Sequence, residues 1–258
     1  MSLNFLPADL HFCSSGQKKK HLLAPVLSFK YIISLLYLTI MAQAQTLEVD
    51  TSHVQHHFRN SDQQFSSSKL GMWLFLFTEI MFFGGLFVAY IVYRAANPEL
   101  FTLAATELDT VLGAVNTAVL IGSSLTIALA IRSAQLNNQK MISAYLIATI
   151  LLAGVFLVIK YFEYAHKFEI GILPGEFYTF EGIEHAKASV FFSIYYMMTG
   201  LHGLHVVIGI GLMVWLLFRV KAGDYSNSYY TPIEMTGLYW HLVDIIWIFL
   251  FPLMYLIE

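Results

Sequence analysis

The stretch SVFFSIYYMMTGLHGLHVVIGIGLMVWLLF, residues 189–218, decides the fold class of this 258-residue chain. It contains no Asp, Glu, Lys or Arg, and about 20 apolar residues are enough for a helix to cross a bilayer core of about 30 Å. Because hydrocarbon offers no partners to backbone N–H and C=O groups, such a segment crosses the membrane as a helix. The whole chain shares this character, since 57% of its residues are hydrophobic and 12% are charged. The sequence therefore predicts a membrane protein.

Four further stretches have the length and composition of membrane spans. We expect an all-α membrane protein with a bundle of five transmembrane helices, at residues 70–93, 108–131, 141–164, 189–218 and 234–257.

Lys and Arg predict how the bundle is oriented, because basic residues are commoner in cytoplasmic loops. Six lie on the side of the tail that precedes the first span and three on the other side. The first set is Arg59, Lys69, Arg132, Lys140, Arg219 and Lys221, and the second is Arg94, Lys167 and Lys187. This bias predicts a cytoplasmic N-terminus and an external C-terminus.

The first 40 residues form a separate segment. Three lysines at 18–20, the apolar run YIISLLYLTIM at 31–41 and the small-residue AQAQ after it are similar to a signal peptide. We expect translation to start at Met41, which would make residues 1–40 an upstream extension; a cleaved signal and a sixth span are the alternatives. Residues 41–68 are then a polar cytoplasmic tail, and residues 69–258 are the membrane domain.

Charge and cysteine content exclude several function classes. The formal net charge of −3 gives no basic surface for nucleic acid. Cys13 is the single cysteine, so this chain alone can form neither an internal disulfide nor a thiolate metal site. Any redox metal would need histidine ligands.

Two carboxyl groups, Glu79 and Asp244, lie at membrane depth, where a charge costs at least about 2.5 to 3.5 kcal/mol. Each follows the start of its span by about ten residues, so the two could share a depth and be neighbours. Proton handling, lipid contact and a neutral acid in a helix interface are the alternatives for Glu79. His241 precedes Asp244 by three residues, which predicts an imidazole–carboxylate contact on one helix face.

His202 and His205, in TGLHGLHVVIGI, also lie on one helix face. His241 is a further imidazole, but at about 1.5 Å rise per residue it lies about 15 Å from His202 in depth. A haem or compact metal site between them would also lack further ligands. We expect these histidines to line helix interfaces and to hold no metal.

Polar residues near the ends of the spans are the last candidates. We expect Glu163 near the external end of the third span, as part of the polar helix interface. Arg219 and Glu234 lie near the cytoplasmic ends of the fourth and fifth spans and could contact lipid headgroups.

Four stretches of the chain resemble subunit III of the haem–copper respiratory oxidases, most closely the cytochrome c oxidase type. They are KLGMWLFLFTEIMFFGGLF at 69–87, YFEY at 161–164, TGLHGLHVVIGI at 199–210 and IEMTGLYWHLVDIIWIFLF at 233–251. The resemblance covers residues 69–258, and the preceding tail contributes nothing to it.

The resemblance implies a subunit with no catalytic residue and no redox centre, because subunits I and II of the family hold the haems and copper. It implies that Glu79 is the family's intramembrane carboxyl, that Arg219 and Glu234 are cytoplasmic-side positions, and that the interior polar residues are His202, His205, His241 and Asp244. It also implies structural phospholipid, packing on subunit I near its proton-uptake path, contact with subunit II, cytochrome c as donor to the complex, and a bacterial inner membrane.

One departure limits what the resemblance implies. Many family members have seven spans and this chain shows five, so the lipid cleft would lack one wall. A quinol oxidase subunit or a nitric-oxide-reductase-associated relative is the alternative function. A proton-coupled transporter and a dihaem cytochrome b are more distant alternatives.

Overall fold

The computed structural model describes residues 54–183 and 187–257 of the chain. The expectations for residues 1–40, and for residues 41–53 of the tail, lie outside the described residues. Within these two ranges six helices follow one another: α1 Ser61–Ala96, α2 Pro98–Ala105, α3 Thr110–Gln135, α4 Gln139–Glu169, α5 Ala188–Lys221 and α6 Thr231–Tyr255, with a 3-10 turn at Gly175–Phe177 between α4 and α5. All but α2 are long and apolar enough to cross a membrane, which confirms the predicted five-span, all-α fold class.

The start of α1 and the presence of α2 differ from the sequence prediction. α1 begins at Ser61, inside the segment predicted to be a polar tail, because the Asn60 side chain accepts a hydrogen bond from the Gln63 backbone N–H and caps the helix. The short helix α2 was not predicted. Its first residue is Pro98, which favours a helix start but cannot continue α1.

α6 is the most enclosed of the long helices and packs against α1, α3 and α5. Its two indoles fix its register on α3, since Trp240 Nε1–H donates to Ser123 Oγ at 3.0 Å and Trp247 Nε1–H donates to Thr117 Oγ1 at 3.1 Å. In contrast, α1 is the least enclosed long helix.

Contacts between helix ends define the two faces of the bundle. Lys69 of α1 pairs with Glu234 of α6 at what we call the amino-terminal end of the bundle. At the opposite end, Tyr90 donates a hydrogen bond to the Leu253 carbonyl, and Lys167 Nζ donates to the Glu107 carbonyl at 3.1 Å. The polar side chains considered below lie between these two ends.

Candidate functional site in the bundle interior

Glu79 pairs with His205 in the middle of the bundle. His205 Nε2 lies 3.1 Å from Glu79 Oε2, and the two side chains are 14% and 19% exposed. The other ring nitrogen, Nδ1, hydrogen-bonds the Leu201 carbonyl at 2.8 Å. Both ring nitrogens of His205 therefore have hydrogen-bond partners. Glu79 pairs with a residue of α5 and not with Asp244, the neighbour that their similar predicted depth in the membrane suggested.

Aromatic side chains enclose the Glu79–His205 pair. The Phe83 ring contacts His205 edge-on with centroids 5.2 Å apart, and the Tyr239 hydroxyl donates to the His205 carbonyl at 3.0 Å. The pair thus joins α1, α5 and α6. A carboxyl–imidazole contact of this kind, largely shielded from its surroundings, can hold or exchange a proton without a metal.

The predicted contact between His241 and Asp244 does not form. His241 Nδ1 instead hydrogen-bonds Ser124 Oγ of α3 at 2.7 Å. Asp244 is 2% exposed and does not bond His241, and the Ser124 hydroxyl also interacts with its carboxyl group. The prediction was wrong because spacing along one helix permits a pair but does not show which helix supplies the better partner.

His202 and His205 face different surroundings, although they lie one turn apart. His202 is fully buried between aromatic rings, with centroids 5.5 Å from Phe156 and 5.1 Å from Trp247. Within the described part of the chain no group of three His, Cys, Asp or Glu side chains could hold a metal ion. His202 and His205 do not form a shared ligand set, because one is enclosed by rings and the other is bonded through both nitrogens.

Glu163 is the centre of a fully buried polar network. Its Oε1 accepts hydrogen bonds from the hydroxyls of Tyr195 and Tyr255, both at 2.7 Å, and its Oε2 accepts from Lys160 Nζ at 2.9 Å. Lys160 Nζ also donates to Tyr255 at 2.8 Å and to Tyr195 at 3.1 Å. Lys167 Nζ lies 3.8 Å from Glu163 Oε1. Glu163 is 4% exposed, in line with its predicted place in a polar helix interface.

Lys160 is the residue that the sequence interpretation missed. Lys160, Glu163 and Lys167 are separated by three and four residues, a spacing that puts them on one helix face with alternating charge. This pattern was readable from the sequence. Its two tyrosine partners were not, because they come from α5 and α6.

Arg219 and Glu234, predicted to contact lipid headgroups, both have partners within the chain. Arg219 Nε lies 2.7 Å from Asp224 Oδ2 in the α5–α6 connection, and Lys69 Nζ lies 2.8 Å from Glu234 Oε1. Despite these pairs, the Arg219 and Lys69 side chains are 47% and 39% exposed. Contact of Arg219 and Glu234 with lipid headgroups therefore stays a prediction.

An apolar cleft of about 430 Å³ runs between α1 and α6. Its walls are aromatic and aliphatic apart from His241 and Gly84. They include Trp73, Leu76, Ile80, Phe83 and Phe87 of α1 and Leu238, Leu242, Ile245, Ile246 and Phe249 of α6. The Lys69–Glu234 pair lies one turn before Trp73 and Leu238, so the cleft has a charged group near one end.

Comparison with known proteins identifies the family. The family model for cytochrome c oxidase subunit III matches residues 7–258. The chain belongs to the cytochrome c oxidase subunit III family. The match begins far ahead of residue 69, so the expectation that the tail contributes nothing to the resemblance was wrong.

Curated relatives of this subunit III chain come from several bacteria. Cytochrome c oxidase subunit 3 of Thermostichus vulcanus is 32% identical over 85% of this chain and 97% of its own length. The protein of that name from Synechocystis sp. is 34% identical over 72% of this chain and 74% of its own length. Probable quinol oxidase subunit 3 of Staphylococcus haemolyticus is 29% identical over 74% of this chain and 89% of its own length. This subunit III is therefore a multi-pass membrane component of a haem–copper oxidase, of cytochrome c or quinol type.

Proposed function

We propose that this chain is the redox-inert subunit III of a cytochrome c oxidase in a bacterial cell membrane, with a cytoplasmic N-terminus. It packs on subunit I, contacts subunit II, binds phospholipid and supports proton uptake and stability of the complex, which reduces dioxygen while moving protons outward. The observation that carries the proposal is the pairing of its intramembrane ionisable side chains within the chain: Glu79 with His205, and Glu163 with Lys160.

The imidazoles support a redox-inert role through their surroundings. His205 has both ring nitrogens bonded and His241 has Nδ1 bonded to Ser124. His202 is enclosed by Phe156 and Trp247, whose ring centroids lie 5.5 Å and 5.1 Å from its own. Haem and copper would then belong to partner subunits.

The cleft between α1 and α6 supports phospholipid binding. Its apolar walls suit acyl chains, and the Lys69–Glu234 pair near its end offers both charges to a zwitterionic headgroup. Gly84 lies in the wall, and a Cβ built there meets no atom within 4 Å. A larger side chain at Gly84 can therefore enter the cleft without displacing the backbone.

Gly84→Leu is expected to reduce the phospholipid that co-purifies with the oxidase by at least one molecule per complex, because the leucine occupies acyl space. Native mass spectrometry of the detergent-purified complex measures this. Gly85→Leu is the matched control, since Gly85 also has open space around it but does not line the cleft. Equal lipid retention in the two variants would refute the assignment of the cleft.

The Glu79–His205 pair supports a role in sustained proton uptake, because it joins the peripheral helix α1 to the core. Glu79→Gln is expected to leave assembly and the initial rate of oxygen consumption unchanged, since an amide still hydrogen-bonds His205. We expect activity during prolonged turnover to be lost several-fold faster. Glu99→Gln, at an exposed carboxylate of α2, is the control, and identical decay in both variants would count against the role.

A quinol oxidase is the second candidate, because relatives of both names match this chain. The cytochrome c oxidase relatives are 32% and 34% identical and the quinol oxidase relative is 29% identical, which favours cytochrome c as donor to the complex. Purifying the native complex separates the two functions. Copper in a cytochrome-docking domain of subunit II supports cytochrome c, and a subunit II without it supports quinol.

A further inference from the structure

We propose that the bundle interior binds a file of ordered water molecules. The file leads from a polar pocket at the opposite end of the bundle, past the Lys160–Glu163 pair, to His202 and Asn116 near the middle of the helices. This inference concerns the chain itself and does not depend on which oxidase it serves.

The pocket has a volume of about 410 Å³ and lies where α3 begins and α4 ends. Its walls are mostly polar, and they include Thr106, Glu107, Asp109, Glu163, His166 and Lys167. Glu163 and Lys167 form its inner wall, because they are only 4% and 3% exposed. Water in the pocket therefore meets a carboxylate that belongs to the buried network.

The network carries polar groups inward from this wall. Lys160 Nζ, bonded to Glu163, lies 5.2 Å from the centre of the Trp247 ring. The His202 ring centroid lies 5.1 Å from that of the same Trp247 ring, and Trp247 Nε1–H donates to Thr117 Oγ1. Trp247 therefore links the charged network to the residues beyond it.

Two side chains around Trp247 have polar atoms without partners. Both ring nitrogens of His202 and both amide heteroatoms of Asn116 lack a hydrogen bond to any residue in 54–183 or 187–257. Both residues are 0% exposed. Asn116 directly precedes Thr117, whose hydroxyl accepts from the Trp247 indole.

Water is the ligand whose chemistry satisfies both side chains. Leaving a buried polar group unpaired costs about 1 to 3 kcal/mol, and buried polar groups that lack a protein partner bind ordered water. One water molecule can donate to an imidazole nitrogen, a carboxyl oxygen or an amide oxygen, and can accept from an amide N–H. Apolar lipid or a metal cation offers no such pair of roles.

Radiolytic footprinting of the intact oxidase complex in 18O-labelled water tests the proposal, because hydroxyl radicals formed from bound water oxidise the side chains beside it. Phe156, which contacts His202, should be oxidised although it is 1% exposed. Phe191 is the matched control, since it is 0% exposed and packs against Phe101 and Phe192. Equal lack of oxidation at Phe156 and Phe191 would overturn the proposal.

Two variants separate a hydrated interior from a dry one and test the route. Asn116→Leu should lower oxidation of Phe156 several-fold by removing a water-binding amide. If Asn116→Leu raises thermal stability while Phe156 stays unoxidised in both proteins, the interior is dry and the proposal fails.

Thr106→Trp narrows the pocket mouth and should slow the appearance of 18O label at Phe156 several-fold, and an unchanged rate would overturn the route.

Discussion

Glu163→Leu is expected to prevent stable incorporation of the subunit, with a loss of about 3 to 5 kcal/mol, as is found when one partner of a buried ion pair is removed. The substitution leaves the Lys160 ammonium at 7% exposure with only two tyrosine hydroxyls as acceptors. Lys167 loses the same counterion. Each N–H of the Lys160 ammonium has a partner in the wild-type network, so the substitution leaves one of them without its acceptor.

The temperature at which subunit III dissociates from the detergent-purified complex measures this effect. Glu169→Leu is the control, because Glu169 ends the same helix and is exposed. Adding Lys160→Met to Glu163→Leu removes the stranded ammonium and is expected to recover part of the lost stability. A Glu163→Leu protein that dissociates at the wild-type temperature would contradict the assignment of Glu163 as the centre of the network.

The helices could be predicted because apolar length alone requires a spanning helix, and all five predicted spans fall on observed ones. The rotation of each helix could not be predicted. In α5 apolar residues surround the whole circumference, so the sequence has no polar face to show which side meets a neighbour. His202 and His205 show the consequence, since their spacing predicts adjacent positions but not that His202 contacts Phe156 of α4 and His205 contacts Glu79 of α1.

Partners within one helix were more accessible to prediction than partners between helices. The spacing of Lys160, Glu163 and Lys167 puts them on one helix face, where the contacts that they make are permitted without knowledge of the other helices. The pairs Glu79–His205 and Ser124–His241 join residues 126 and 117 positions apart. Such pairs depend on the helix order and on crossing points, which are set by small residues at helix contacts.

Gly209 is such a crossing point between α5 and α6. A Cβ built on Gly209 lies 2.6 Å from Trp240 Cζ3 and 2.7 Å from Trp240 Cε3. Trp240 is fully buried and its Nε1–H donates to Ser123, so the ring cannot move aside without breaking that bond. The close approach also brings the Tyr239 hydroxyl to the His205 carbonyl, one turn before Gly209.

Gly209→Ala is therefore expected to destabilise the bundle by about 1 to 3 kcal/mol, the range for overpacking a filled interior. Gly211→Ala is the matched control, because Gly211 lies on the same helix and a Cβ there meets no atom within 4 Å. Both substitutions gain the same helix propensity, about 1 kcal/mol, so their difference isolates the contact with Trp240. Thermal dissociation of the complex measures that difference, and sustained turnover shows whether displacing α5 also disturbs the Glu79–His205 pair. Equal dissociation temperatures for the two alanine variants would mean that α5 and α6 are not held together at Gly209.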